Sequence, residues 1–354
     1  MKPLKQIFLN YAIKKTFLCV FIIAIGGLFL WTSSTRPSIL VIHTYDAKMP
    51  RVQEINRGLR SVFEKRTFYH VYYHYMGISE HHDGRSDPNA TQKALAVIES
   101  LKPNFLILVD DITQEKIGKH YINNKDINVV YCGIKRPPEA YGYNETKNIT
   151  GIHMSLPVEI INQLLEFNIN EDVFHDALRI TLMGDISTAS EEDSQTLENY
   201  KKWEQISLRP SINVETFQEW KEEVNKIRGA NNIILISNYR SLIYSDQRPE
   251  LVPPHEIVQW TMNNAHVPII GLYGFFVLDG GYLSIAPSAF ELGEKTAKIV
   301  ENLIENDIYI TEIPPIDSKH FFIYLREQPE EGAYKIKIPA LYETFARSTH
   351  HYYE

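Results

Sequence analysis

The chain has 354 residues, of which 44% are hydrophobic and 23% charged, values of a soluble globular protein large enough to bury a core without staples and long enough for two domains rather than one. The formal net charge of −8 becomes −13 once residues 1–36, with five basic and no acidic side chains, are set aside. An acidic body without a stripe of Lys and Arg argues against nucleic acid as a partner, because phosphate binding needs concentrated positive charge.

The first feature along the chain is apolar. Lys14 and Lys15 precede a segment from Thr16 to Trp31 that is apolar apart from its first residue. As a helix it would span about 24 Å, short of the roughly 30 Å hydrocarbon core and between an export signal and an anchor in length. The basic flank places the first residues in the cytoplasm and the body outside. A cleaved signal and an uncleaved inner-membrane anchor both fit, and both predict a periplasmic or other extracytoplasmic body. Residues 1–36 therefore form a unit of their own. Cys19 and Cys132 are the only cysteines, so the body has one thiol and no internal disulfide, which a body this size can do without after export.

From residue 38, strands and helices alternate. Residues 38–43, 69–75, 105–109 and 128–132 read as strands, and 52–65, 91–101 and 114–121 as helices, the βαβ alternation of a parallel sheet. The pattern restarts after Gly151 with helices at 157–168, 190–206, 217–227 and 254–264 and strands at 179–184, 213–216, 232–236 and 268–272. The stretch 271–304 then joins a glycine-rich strand exit, a second strand and an amphipathic helix. Phe290, Gly293, Ala297, Val300, Leu303 and Ile304 recur at helical spacing behind Pro287 and Ser288, which mark the helix start. Gly271, Gly274, Gly280 and Gly281 bracket an apolar run at 275–278 and allow the backbone to approach a neighbour or a ligand closely.

Open parallel sheets bind ligands at the carboxyl ends of their strands. In the first half these positions are Thr44, Tyr45 and Asp46, then Asp110 and Asp111, then Cys132 and Gly133. In the second they are Asp185 and Ser187, then Ser237, Asn238 and Tyr239, then Tyr273, Gly274 and Asp279. Tyrosine faces, hydroxyls, an amide and carboxylates suit a small polar molecule with an amine and an apolar portion, such as an amino acid or an amine. Each residue has a plainer alternative: Asp46, Asp110 and Asp185 as helix caps, Tyr239 and Tyr273 as rim packing, Cys132 as a small buried hydrophobe.

Metal and catalytic signals are weak. His70 and His74 share one face of a strand but lie about 13 Å apart, too far to share an ion. His81, His82 and Asp83 form a polar loop, and His350 and His351 read as a frayed tail. There is no G-x-S-x-G elbow, H-E-x-x-H helix or P-loop, so neither an enzyme nor a cofactor is expected. Asn89, Asn144 and Asn148 lie in N-x-T sequons.

Several stretches together resemble the ABC-transporter substrate-binding family with the type I periplasmic-binding-protein fold. They are the opening SILVIHTYDAKMP with RVQEINRGLRSVFEK, NVVYCGIKRPPEAY leading into NITGI, ITLMGDIST, the closing GLYGFFVLDGGYLSIAPSAFELGEKTAKIVENLI and the ending IPALYETFA. In serial order they cover roughly residues 38 to 347. The chain departs from the family pattern at HFFIYLREQPEEGAYKIKIP, where relatives show a strand closing on Asn. The resemblance implies an α/β fold of two doubly wound parallel-sheet lobes joined by a multi-strand hinge: residues 37–153 plus 282–312 in lobe 1, and 154–281 plus 313–354 in lobe 2. It implies capture of a small solute by hinge closure and docking on an ABC permease. The alternative is a body tethered through Thr16 to Trp31 that senses a ligand and signals through a membrane partner.

Overall fold

The computed structural model describes residues 14–18, 20–22, 36–65, 68–78, 87–171, 173–174, 177–306, 308–327 and 336–354. Of the apolar segment at 16–31 it describes 16–18 and 20–22, as helix, and among the described residues no helix is long and apolar enough to cross a membrane. The remainder of that segment and the loop holding His81, His82 and Asp83 lie outside the described residues.

The first sheet is built from β1 (Ser38–His43), β2 (His70–Tyr75), β3 (Phe105–Val109), β4 (Asn128–Ile134) and β5 (Ile149–His153). All pair in parallel, in the order β5-β4-β3-β1-β2. Every residue of β3 is buried and so is β1 beyond its first residue, which explains why both read as unbroken apolar runs: a parallel strand covered on both faces has no polar side. Helix α1 (Pro50–Phe63) covers one face and α2 (Ala90–Leu101) the other. Because β2 and β3 lie on opposite sides of β1, the order reverses beside β1. The next helix, α3 (Asp110–Lys116), starts directly at the end of β3 and gives way to a 3-10 turn at Gly118–Tyr121, in place of the single helix expected over 114–121.

After α4 (Val158–Asn170) the second sheet begins with β6 (Leu178–Asp185), α5 (Thr188–Asn199), β7 (Ile206–Leu208), β8 (Ile212–Val214), α6 (Phe217–Lys226) and β9 (Asn232–Ile236). The helix expected over 190–206 ends at Asn199, and Ile206 opens a strand whose side chain is buried against the sheet. Helix α6 has a full capping box: Thr216 accepts from the Glu219 amide while Glu219 accepts from the Thr216 amide. A hairpin, β10 (Ile243–Ser245) with β11 (Arg248–Leu251), precedes α7 (Pro254–Asn264), β12 (Ile269–Gly271), the single helical turn α8 (Phe275–Leu278) and β13 (Leu283–Pro287).

The chain then returns to the first body through α9 (Ala289–Glu305), which lies on α1. Gly58 and Gly293 make the crossing possible, since a Cβ on Gly58 would lie 2.1 Å from the Phe290 carbonyl oxygen and one on Gly293 2.0 Å from that of Ile55. Beyond α9, β14 (Ile316–Asp317) pairs with β5 at the edge of the first sheet. The last crossing leads to β15 (Phe321–Arg326), α10 (Ala340–Ser348) and β16 (Tyr352–Tyr353), all on the second body.

The boundaries expected at 282 and 313 therefore move. Leu283–Pro287 pairs into the second sheet, and Ile316–Asp317 into the first. The segment that departed from the family pattern contributes β15, antiparallel to β13 in an otherwise parallel sheet of order β16-β15-β13-β12-β9-β6-β7, with β8 also on β6. The expected frayed tail is a strand: β16 runs parallel to β15, and His351 is 7% exposed with its ring 4.5 Å from Phe322 and 4.2 Å from Tyr324.

Candidate functional site

The three crossings lie side by side. The Ser318 amide donates to the His153 carbonyl at 2.8 Å, Ser155 N–H to Ser318 Oγ at 3.0 Å, and the Ser288 amide to the His320 carbonyl at 3.0 Å. Glu291, 1% exposed in the first turn of α9, accepts from the amides of Lys319 and His320 and pairs with Lys295. This strap brings the carboxyl ends of both sheets face to face, with their order-reversal points opposed: β1/β3 on one side, β6/β9 on the other.

Where the faces meet, charged side chains cross between them. The loop after β4 carries Lys135 and Arg136, and its backbone is fixed by Asp111, which accepts both amides at 3.0 and 3.2 Å and also the Tyr141 hydroxyl. From this loop Lys135 reaches Asp193 on α5, Nζ to Oδ1 at 3.2 Å, and Arg136 approaches Glu192 at 3.3 Å. The Tyr273 hydroxyl donates to the same Asp193 oxygen at 2.8 Å, and Ser237 Oγ donates to the other. The Lys135 ammonium also lies over the Tyr273 ring, 4.6 Å from its centre. Beside this network is a cavity of about 210 Å³ whose walls include His153, Ser155, Gln195, Thr196 and Asn199. A second pair, Arg51 to Asp110 at 2.8 Å, lies at the start of α1 and the end of β3. Asp110 is 7% exposed, sits at the left-handed φ of +68°, and keeps Oδ2 without a hydrogen-bond partner. A non-glycine residue held there is strained, and strain of that kind collects at functional sites.

Electrostatics follow from burial. Glu192 is pushed up to about 7, first by burial and then by the charge of Asp111. Burial, then Asp193, raises the Tyr273 phenol, so Tyr273 stays a donor. Burial likewise raises the Asp110 carboxyl against the pull of Arg51.

The structure gives the residues singled out from sequence unequal places. Tyr273, Ser237 and Asp110 stand in or next to the network, and Tyr45 is electrostatically coupled to Arg51. The others hold the frame. Thr44 donates to the Val109 carbonyl at 3.1 Å, and Asp46 accepts the Lys48 amide at 2.8 Å in the turn before α1. Asp185, fully buried, takes the hydroxyls of Ser187 and Ser190 and the amides of Ser187 and Ser241. Asn238 donates to Ser187 Oγ at 3.3 Å. Asp279 accepts from buried Tyr239 at 2.7 Å and from Arg240 at 2.8 Å. Cys132, pushed up to about 12 by burial, and Gly133, with Leu292 against it, lie under α9. Gly274 admits the Tyr324 ring, which a Cβ there would approach to 2.4 Å. Asn148, one of the sequons, is 4% exposed and donates to the carbonyls of Tyr121 and Ile127, which leaves no room for a glycan.

Sequence reasoning missed Arg51, Lys135, Arg136, Glu192 and Asp193. Lys135 and Arg136 were within reach of the strand-end rule, two residues further on. Arg51 and Asp193 lie in first and second helical turns, where that rule does not look.

No family model and no curated protein matches the chain. Solved structures do. A ligand-free, open substrate-binding protein with adhesive properties from Clostridium difficile superposes with a TM-score of 0.61 at 14% identity, over 84% of this chain and 98% of that one. A conserved domain protein from Vibrio cholerae gives 0.59 at 13%, over 88% and 98%. The ABC domain in complex with L-Trp from Streptococcus pneumonia gives 0.56 at 12%, over 88% and 94%. The chain has the two-lobed periplasmic-binding-protein fold.

Proposed function

We propose that the chain is the extracytoplasmic solute-binding component of an ABC transporter, capturing a small polar solute, amino-acid-like or an amine, between its lobes by hinge closure and then docking on a permease. The observation that carries this reading is the cross-cleft network: cations from one lobe, anions from the other and the Tyr273 face converge beside a cavity of mixed polar and apolar lining, so the site completes itself only when the lobes are together. Closure of that kind shifts a population in favour of the state that binds. The fold shared with a protein described as substrate-binding and with a domain described in complex with L-Trp supports it. The site residues of this reading are Tyr45, Asp110, Ser237 and Tyr273 with Arg51, Lys135 and Asp193.

The test is a thermal-shift screen of the purified chain against amino acids, amines, short peptides, sugars and nucleosides. A solute at about 100 times its Kd adds roughly 2.7 kcal/mol to stability, a shift of several degrees. Hits among amino acids or amines that are lost in Tyr273→Ala are expected. A folded protein that responds to none of the panel overturns solute capture, and one that responds to sugars alone overturns the solute class.

A further inference from the structure

We propose that the Lys135 ammonium is a tethered stand-in for the amine of the solute: it sits on Asp193 and Tyr273 in the place that a solute ammonium takes. The inference rests on the reading that the cleft captures a solute.

Asp193 belongs to its own lobe. It is 2% exposed, and the hydroxyls of Ser237 and Tyr273, both from strand ends of the same sheet, donate to its two oxygens. These bonds fix the carboxylate and leave it one cation short. The cation comes from across the cleft, with Lys135 Nζ at 3.2 Å from Asp193 Oδ1 and 4.6 Å from the centre of the Tyr273 ring. A fixed carboxylate beside an aromatic face is the combination that recognises an ammonium group.

The two partners are held differently. Lys135 is anchored through its backbone, its amide on Asp111 and its carbonyl on His153. Its ammonium is a point charge on a flexible stem, able to withdraw when the lobes part. The cavity beside the pair, lined by Ser155, Gln195 and Thr196 and also by Met154 and Leu156, has room for the rest of a small solute.

One route remains for a solute that lacks an amine: Lys135 would turn to the solute's anion. Asp193 would then be buried without a cation, a strongly unfavourable state. An ammonium on the solute resolves both cases, because it takes over Asp193 and frees Lys135. Lys135 is then a competitor for Asp193 that the solute ammonium must displace.

The experiment uses the full chain and Lys135→Ala, titrated calorimetrically with ethylammonium and benzylammonium chloride against potassium chloride at equal ionic strength. Lys135→Ala is expected to bind both amines saturably and at least tenfold more tightly than the unaltered chain, and Asp193→Asn in the Lys135→Ala background to bind neither. No gain in Lys135→Ala overturns the proposal. A gain for ethylammonium alone also overturns it, because that describes a slot no wider than a lysine stem. If Lys135→Ala does not fold, Lys135→Met keeps the stem and removes the charge: any amine found in the solute screen must bind it more tightly than the unaltered chain, and weaker binding overturns the proposal. Amine binding by Lys135→Ala with an empty solute screen keeps the ammonium place and removes the transport reading, so the two fail separately.

Discussion

Replacing Gly293 with alanine tests the packing that returns the chain to the first lobe. The added Cβ would sit 2.0 Å from the Ile55 carbonyl oxygen and 2.9 Å from its carbon. Both are backbone atoms of α1, so no side chain can rotate away and the two helices must separate. Overpacking of a core costs about 1–3 kcal/mol, and a rigid backbone contact belongs at the upper end. Helix propensity returns about 1 kcal/mol for Gly→Ala. The net expectation is a loss of about 2 kcal/mol. In urea, with a slope of about 3 kcal/mol per molar or more for a chain of this size, the midpoint should fall by roughly 0.5 M. Equilibrium unfolding followed by circular dichroism reads this directly. An unchanged or raised midpoint would refute the close crossing of α1 and α9, since propensity alone predicts stabilisation.

Three further outcomes are expected. His43 and His351 are both held down to about 4 by burial, below the unfolded value, so their contribution is complete above about pH 6.5 and is lost as pH falls toward 4; roughly 2 kcal/mol each should vanish between pH 7 and 5, and His351→Phe should remove its share of that loss in urea titrations at the two pH values. Glu192, raised to about 7, is the opposite case: its penalty grows as pH rises from about 4.5 to 7, so Glu192→Gln should be more stable than the unaltered chain by about 2 kcal/mol at pH 8 and equal to it near pH 4, whereas a net-favourable ion pair with Arg136 would give a less stable variant at pH 8. Asp185→Ala, which leaves the Ser187 and Ser241 amides without their carboxylate, should lower stability by about 2–4 kcal/mol; normal stability with lost solute binding would instead make Asp185 a ligand contact.

The fold was legible wherever burial was two-sided. The apolar runs of β1, β3 and β9 and the periodic face of α9 could be placed within a residue or two, and α7 at 254–264 to the residue. Short edge elements were not: β10, β11, β14 and β16 are held by tertiary neighbours more than by local pattern, and His351 looked like a frayed end because burial by Phe322 and Tyr324 cannot be read from HHYYE. The site was half legible. The rule that ligands bind at strand ends led to Tyr273, Ser237 and Asp110. It also led to Asp111, Asp185 and Asp279, whose carboxylates tie loops together, and composition does not separate a carboxylate facing a cleft from one that accepts four loop hydrogen bonds. Asp193 carries no local signal, since a mid-helix Asp is ordinarily solvated, and its burial exists only because Ser237 and Tyr273 arrive from distant strands.

The strap of three crossings sets what kind of movement the molecule has. Its segments are laced to one another by Ser155, Ser288, Ser318 and the Glu291 carboxylate, so none can slide along its neighbour without breaking those bonds. Shear and twist are therefore resisted while bending across the strap is not. Under the proposed hinge closure the swing has a single degree of freedom, and the loop carrying Lys135 returns to the same point on α5 each time. A specific cleft could not be assembled from two halves that met in a different register each time.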